Sequence, residues 1–152
     1  MLEKSFGTRS PDKTYIERVG AYGIIFNSEQ QIAVTYTSSG YYLLGGKIEN
    51  GESHEDCIKR ECLEEVGLSV SVGDFICKGD NYFWSIGSRQ NRHGIGYFYY
   101  AYPLTNHLDL QTEEDNQLMW LEAEECLKKL YLEHQSWAVK QAVSLYGKTH
   151  SG

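Results

Sequence analysis

The stretch 41–68 constrains this chain most, because within it the hydrophobic period changes from that of a strand to that of a helix. Tyr41 to Leu44 is short and apolar and runs into the Gly45-Gly46 pair, where backbone freedom is needed rather than side chains. Ser53 with Asp56 three positions on then resembles a capping box, Ile58, Cys62 and Val66 recur at helical spacing, and Gly67 is a natural stop. The spacing predicts a helix over 53–66. Strand-like runs rich in β-branched and aromatic residues flank it at 18–26, 31–36, 41–44, 70–78, 81–86, 95–103 and 118–121, with a loop at 87–94. Residues 123–130 and 136–146 read as two terminal helices. Strands interrupted by one central helix and closed by further helices predict an α/β (α+β) fold, a mixed β-sheet sandwiched between helices.

The 152 residues suffice for one domain with its own core, spanning 1–152, with 1–14 as a flexible N-terminus. No run of 18 apolar residues occurs, and the first twenty residues lack the apolar stretch of a secretory signal, so neither a membrane partner nor secretion is expected. Four cysteines without CxxC spacing fit a reduced, cytoplasmic setting, with Cys57 and Cys62 as inert packing. Lys plus Arg total 14 against 21 Asp plus Glu, and the net charge of −7 argues against duplex nucleic acid as a partner. Seven acids against three bases fall between residues 46 and 68, so more than half of the excess sits in one segment. Such a concentration calls for a cation.

That segment reads GKIENGESHEDCIKRECLEEVGL, with Gly46 followed after five residues by Glu52, and after seven more by Arg60-Glu61, then Glu64-Glu65 and Gly67. This pattern resembles the Nudix box of the Nudix hydrolases, including the MutT-type enzymes. Its seven fixed positions all match, and at roughly 6–7% per residue type such a match has a chance on the order of 10⁻⁸ at one register. Two positions depart from the pattern: Cys62 stands where an aliphatic residue is usual, and Leu44 where many members have proline. Neither removes a ligand, and cysteine packs as a small hydrophobe. The resemblance implies the Nudix fold, hydrolysis of a diphosphate bond in a nucleoside diphosphate linked to another group, and a metal-ligand role for Gly46.

On a helix turning about 100° per residue, Glu61, Glu64 and Glu65 fall within an arc of about 100° beside the apolar line of Ile58, Cys62 and Val66. Like charges at these spacings repel unless a hard cation sits among them, and oxygen ligands select Mg²⁺ or Mn²⁺. Glu61, Glu64, Glu65, Arg60 and Glu52 are thus the candidate catalytic residues. Arg60, four residues before Glu64, can fix its carboxylate, while Glu52 orients the loop or a glutamate from outside the ligand set. Glu113 and Glu114 lie shortly before Trp120, where many Nudix members keep a further glutamate; either could serve as a supplementary ligand or base, against the plainer reading of a solvated loop.

The box handles the diphosphate, and loops read everything else. Tyr42, Tyr82 and Trp84, among Tyr41, Phe83, Tyr97 and Tyr99, are candidates to stack a nucleobase, though most such residues simply belong to a sheet. Arg89 and Arg92, with His93, could contact distal phosphates or a sugar substituent, against a solvated hairpin tip as the plainer reading. Phe83 occupies the neighbourhood where many ADP-ribose enzymes carry a proline, and the SQPWPFPxS-like array of the NADH-type enzymes is absent. The expected partner is a small nucleotide-type substrate: a nucleoside triphosphate, an oxidised nucleotide or a nucleotide sugar, handled by a monomer or homodimer. A non-catalytic nucleotide sensor and an RNA 5′-end pyrophosphohydrolase are the alternatives, the first disfavoured by the intact glutamates and the second by the −7 charge.

Overall fold

The computed structural model describes residues 2–150. Seven strands form one mixed sheet: β1 (Glu3–Phe6), β2 (Ile16–Ile25), β3 (Ile32–Thr37), β4 (Gly40–Lys47), β5 (Leu68–Ser85), β6 (Gln90–Asn106) and β7 (Gln117–Leu121), in the order β1-β5-β6-β2-β4-β3-β7. The helices are α1 (His54–Val66), α2 (Ala123–Lys129) and α3 (Glu133–His150). A cluster including Ala21, Ile25, Leu44, Ile58, Cys62 and Val66 fills the space under α1. On the opposite face Ile24, Val34, Leu43, Phe98, Ala138 and Val139 pack under α3. The sheet is therefore sandwiched between helices, as the alternating pattern predicts. No helix among the described residues is long and apolar enough to cross a membrane.

Three expectations change. Residues 68–85 form one strand where two were expected, because Gly79 is a packing glycine rather than a break: a Cβ there would come within 3.1 Å of the His134 Cβ on α3. The connection expected over 87–94 shrinks to a turn at 86–89, with Arg89 at φ 55° and its N–H on the Ser85 carbonyl at 2.8 Å, so Arg92 and His93 are strand residues. Within the segment expected to be flexible, Glu3–Phe6 pairs in parallel with Lys78–Asn81 of β5, and Phe6 packs on Trp137 with ring centroids 5.9 Å apart. Met1 and residues 151–152, at the two ends of the domain expected over 1–152, lie outside the described residues.

β4 positions the site. Leu44 to Lys47 pair with β2, whereas Gly40 to Leu43 pair with β3, so this strand changes partners at Leu43–Leu44. The Gly45-Gly46 pair sits just beyond the change.

Candidate active site

α1 begins as its sequence demands, with the Ser53 hydroxyl accepting the Asp56 N–H at 3.0 Å, and ends on Gly67 in the left-handed region at φ 67°. Between these caps, the angle of each glutamate to the apolar line sets its burial. Glu65 lies about 40° from Glu61 on the side toward Cys62, while Glu64 lies about 60° away on the other side. Glu65 is accordingly 8% exposed, and Glu61 and Glu64 are intermediate.

Glu65 points inward and accepts the Gly45 N–H at 2.9 Å. Burial pushes its carboxyl well above the usual carboxylate range, against the opposing pull of that N–H. Glu61 and Glu64 converge instead with Glu113, their carboxylate oxygens lying within 4.8 Å of one another. Glu113 arrives there because the Thr112 and Glu113 N–H groups both donate to the Glu64 carbonyl, at 2.9 and 3.0 Å, docking the loop on the last turn of α1. Glu114 is exposed and takes no part in the cluster.

Arg60 faces this set from within the helix. Arg60 donates to both Glu52 oxygens at 2.6 and 2.9 Å, to Glu61 at 2.6 Å, to Glu64 at 3.1 Å and to the Lys47 carbonyl at 3.0 Å. Its guanidinium holds Glu52 down at about 2, and Glu52 in turn raises the pKa of Arg60. Burial lifts Glu61 above its ordinary value although Arg60 opposes the rise. Gly46 lies against the cluster through its Cα, since a Cβ there would fall 2.6 Å from Glu61 Oε2. Its carbonyl accepts the Cys57 thiol at 3.3 Å. Three carboxylate oxygens so close fit a hard divalent cation, for which Glu61, Glu64 and Glu113 could supply ligand atoms.

Beside the cluster lies a cavity of about 350 Å³, lined among others by Glu65, Glu113, Arg18, Arg92, Tyr22 and Tyr42. Strand alternation decides which candidate residues reach it. Phe83 and Arg92, directly paired across β5 and β6, both line it; Tyr82 and Trp84, one residue either side of Phe83, do not. Tyr82 stacks on His93 with centroids 4.1 Å apart, and Trp84 is 50% exposed. Arg89, on the turn, is exposed and does not line the cavity. Arg18, Thr35, His134 and Gln135 also line it, and sequence reasoning missed all four. Their signal is tertiary, because they come from β2, β3 and α3.

A NUDIX domain family model matches residues 16–141. The chain belongs to the NUDIX family. Membership places it among the Nudix pyrophosphohydrolases. Among solved structures, a NUDIX hydrolase from Nitrosomonas europaea superposes with a TM-score of 0.68 at 14% identity, covering 85% of this chain and 90% of that one. A MutT protein from Methanosarcina mazei Go1 gives 0.64 at 19% identity, covering 90% and 98%. An ADP-ribose pyrophosphatase from Streptococcus suis 89-1591 gives 0.60 at 19% identity, covering 83% and 91%. At these identities the likeness is one of fold. A search of curated proteins found no match.

Proposed function

We propose that this Nudix protein hydrolyses a diphosphate bond in a nucleoside diphosphate linked to another group: a nucleoside triphosphate, an oxidised nucleotide or a nucleotide sugar. The observation that carries the reading is the convergence of Glu61, Glu64 and Glu113 within 4.8 Å, beside a cavity of about 350 Å³ that Glu113 also lines. Cavities of roughly 300–1,000 Å³ suit small ligands. That one similar structure is named an ADP-ribose pyrophosphatase is in keeping with a diphosphate-linked nucleotide as substrate.

Mg²⁺, or Mn²⁺, would be held by Glu61, Glu64 and Glu113; when bound, it screens the diphosphate charge from a nucleophile and lowers the pKa of a water. Arg60 keeps Glu61 and Glu64 aimed at one point, and Glu52 pins Arg60 from behind. A carboxylate oxygen of the set accepts the proton of the attacking water. Glu65, expected as a metal ligand, fixes the Gly45 backbone against the helix through one oxygen and lines the cavity, and Gly46, also expected as a ligand, leaves room for Glu61. A small nucleotide in a cytoplasmic setting suits the −7 charge and four free, buried cysteines.

The test is product release over nucleoside triphosphates, dinucleotides and nucleotide sugars with Mg²⁺ or Mn²⁺. Glu61→Gln and Glu64→Gln are each expected to lower turnover at least 100-fold, with near-UV circular dichroism unchanged. Equal turnover in EDTA, or in both variants at saturating metal, would overturn the reading.

A further inference from the structure

The cavity contains two cations that the diphosphate chemistry does not use. Arg18 on β2 and Arg92 on β6 project from the same face of adjacent parallel strands, since Ile16 pairs with Arg92 and Arg18 with Gly94. Both are half-buried, and neither makes an ion pair among the described residues. Their Nε atoms are buried without a hydrogen-bond partner among the described residues. Burial, and then the charge of Arg18, press Arg92 below its ordinary range. Two like charges held together without an ion-paired acid among the described residues oppose folding, so their retention points to an anion that arrives from outside.

The floor of the same cavity is polar and unsatisfied. Thr35 Oγ1 and His134 Nδ1, on residues 1% and 2% exposed, have no hydrogen-bond partner among the described residues. Burial lowers His134 to about 4, so at neutral pH it offers a hydrogen bond and no charge. The two arginines are then the cationic wall.

That wall begins within reach of Glu65 and runs away from it along β2. Gly45, which anchors Glu65, pairs with Tyr22. Arg18 is four residues along β2 from that row, and Arg92 lies opposite Ile16, six residues along it. At about 3.3 Å per residue the backbone offsets are roughly 13 and 20 Å; the side chains shorten them, so that the Arg18 charge acts on Glu65 while Arg92 stands farther along the wall.

Resting on the reading that a metal-bound diphosphate occupies the glutamate cluster, we propose that Arg18 and Arg92 form a receptor for a second phosphoryl group of the substrate, a monoester or chain-terminal phosphate remote from the scissile bond. Unbonded guanidinium edges match the oxygens of a tetrahedral dianion, and a buried site raises the strength of such contacts. The phosphate can come from a branch on a ribose or from the far end of a linear polyphosphate.

The test compares ligands that differ only in that group. In EDTA, where the glutamate site contributes no metal, calorimetry with adenosine 3′,5′-bisphosphate against AMP reads the branched source, and ATP against ADP reads the linear one. At least tenfold tighter binding of the phosphorylated member of either pair is expected, falling below twofold in Arg18→Gln/Arg92→Gln and recovering in part in Arg18→Lys/Arg92→Lys. The Gln variant should melt at or above wild type without ligand, because a repulsive pair is lost. With Mg²⁺, the ratio of kcat/KM for coenzyme A over dephospho-coenzyme A, or for NADPH over NADH, should collapse in the same variant and persist in Lys140→Gln, which removes one exposed cation from α3. Equal binding within both pairs would overturn the proposal, as would a ratio unchanged in the Gln variant, which would place the arginines on the scissile diphosphate itself. Tighter binding in EDTA with no turnover in Mg²⁺ would support the receptor and overturn only the hydrolytic reading.

Discussion

At Glu65 one carboxyl group meets opposing demands: it must accept the Gly45 N–H, yet it sits where ionisation is costly. Its folded pKa is raised above the unfolded value, so between the two the native state binds a proton that the unfolded chain has released. Stability therefore falls as pH rises through that window and is level above it. Glu65→Gln keeps an oxygen for Gly45 and removes the charge, so in EDTA at pH 8 it should melt above wild type by about 1–3 kcal/mol of stability, and equally with it near pH 4; a lower melting point at pH 8 would refute the account. Glu52 carries the opposite sign. Its pKa is depressed to about 2 by Arg60, so the pair contributes stability above the usual carboxylate range that is lost as pH falls through about 2. Glu52→Gln should flatten the acid-unfolding profile in that window and cost on the order of 1–2 kcal/mol at pH 7 after allowance for solvent screening, read by urea denaturation. Spacing alone places Glu61, Glu64 and Glu65 on one arc, but weighing their distance from the Cys62–Val66 line separates the buried Glu65 from the other two. Nothing local separates Glu113 from Glu114, since the choice is made by two hydrogen bonds to the Glu64 carbonyl. Arg18, next to the acid Glu17 at a strand start, reads as surface charge until β6 is laid beside it.

β4 carries two adjacent glycines that do different work. At Gly45, φ is 140° and a Cβ would meet the Ala21 carbonyl oxygen at 2.3 Å, a clash with backbone that cannot turn away. At Gly46 the obstacle is the Glu61 carboxylate at 2.6 Å, the far end of a movable side chain. Gly45→Ala should therefore lose roughly 3 kcal/mol or more of stability, whereas Gly46→Ala should fold, displace Glu61 and weaken Mn²⁺ binding at least tenfold by calorimetry. A Gly46→Ala protein with wild-type Mn²⁺ affinity would contradict the placement of Glu61. The glycine pair is legible as a need for free backbone, but not which glycine serves the fold and which the site. The same ambiguity hides the length of β5. Gly79 reads as punctuation in one dimension, and only the approach of α3 reveals it as clearance for His134. An element whose period and both caps are written in its own residues is legible from them, as α1 is. The long β5–β6 pair is built from contacts to β1, β2 and α3, and its extent is set there.

Across the whole molecule, the charge of −7 is arranged as a carboxylate cluster at one end of a cavity and an arginine pair farther along its wall. The carboxylates outnumber the Arg60 guanidinium that bridges Glu61 and Glu64, and the two arginines of the wall repel each other, so the metal-free, ligand-free chain holds two local sources of strain on one scaffold. A divalent cation relieves the first by binding the native cluster and not the dispersed carboxylates of the unfolded chain. At a metal concentration about 100 times the dissociation constant, such linkage adds about 2.7 kcal/mol. For a domain of this size each kcal/mol raises the melting temperature by about 2–4 °C, so Mn²⁺ or Mg²⁺ should raise it by about 5–10 °C over the value in EDTA. Glu61→Gln/Glu64→Gln/Glu113→Gln should start higher than wild type in EDTA and show no rise, because the repulsion and the ligands vanish together. Glu114→Gln, outside the cluster, should keep the full rise. Differential scanning calorimetry on the three proteins with and without metal checks all of these at once. An undiminished rise in the triple variant would move the metal away from this cluster, and a triple variant that melts below wild type in EDTA would mean that the three carboxylates hold the fold together rather than strain it.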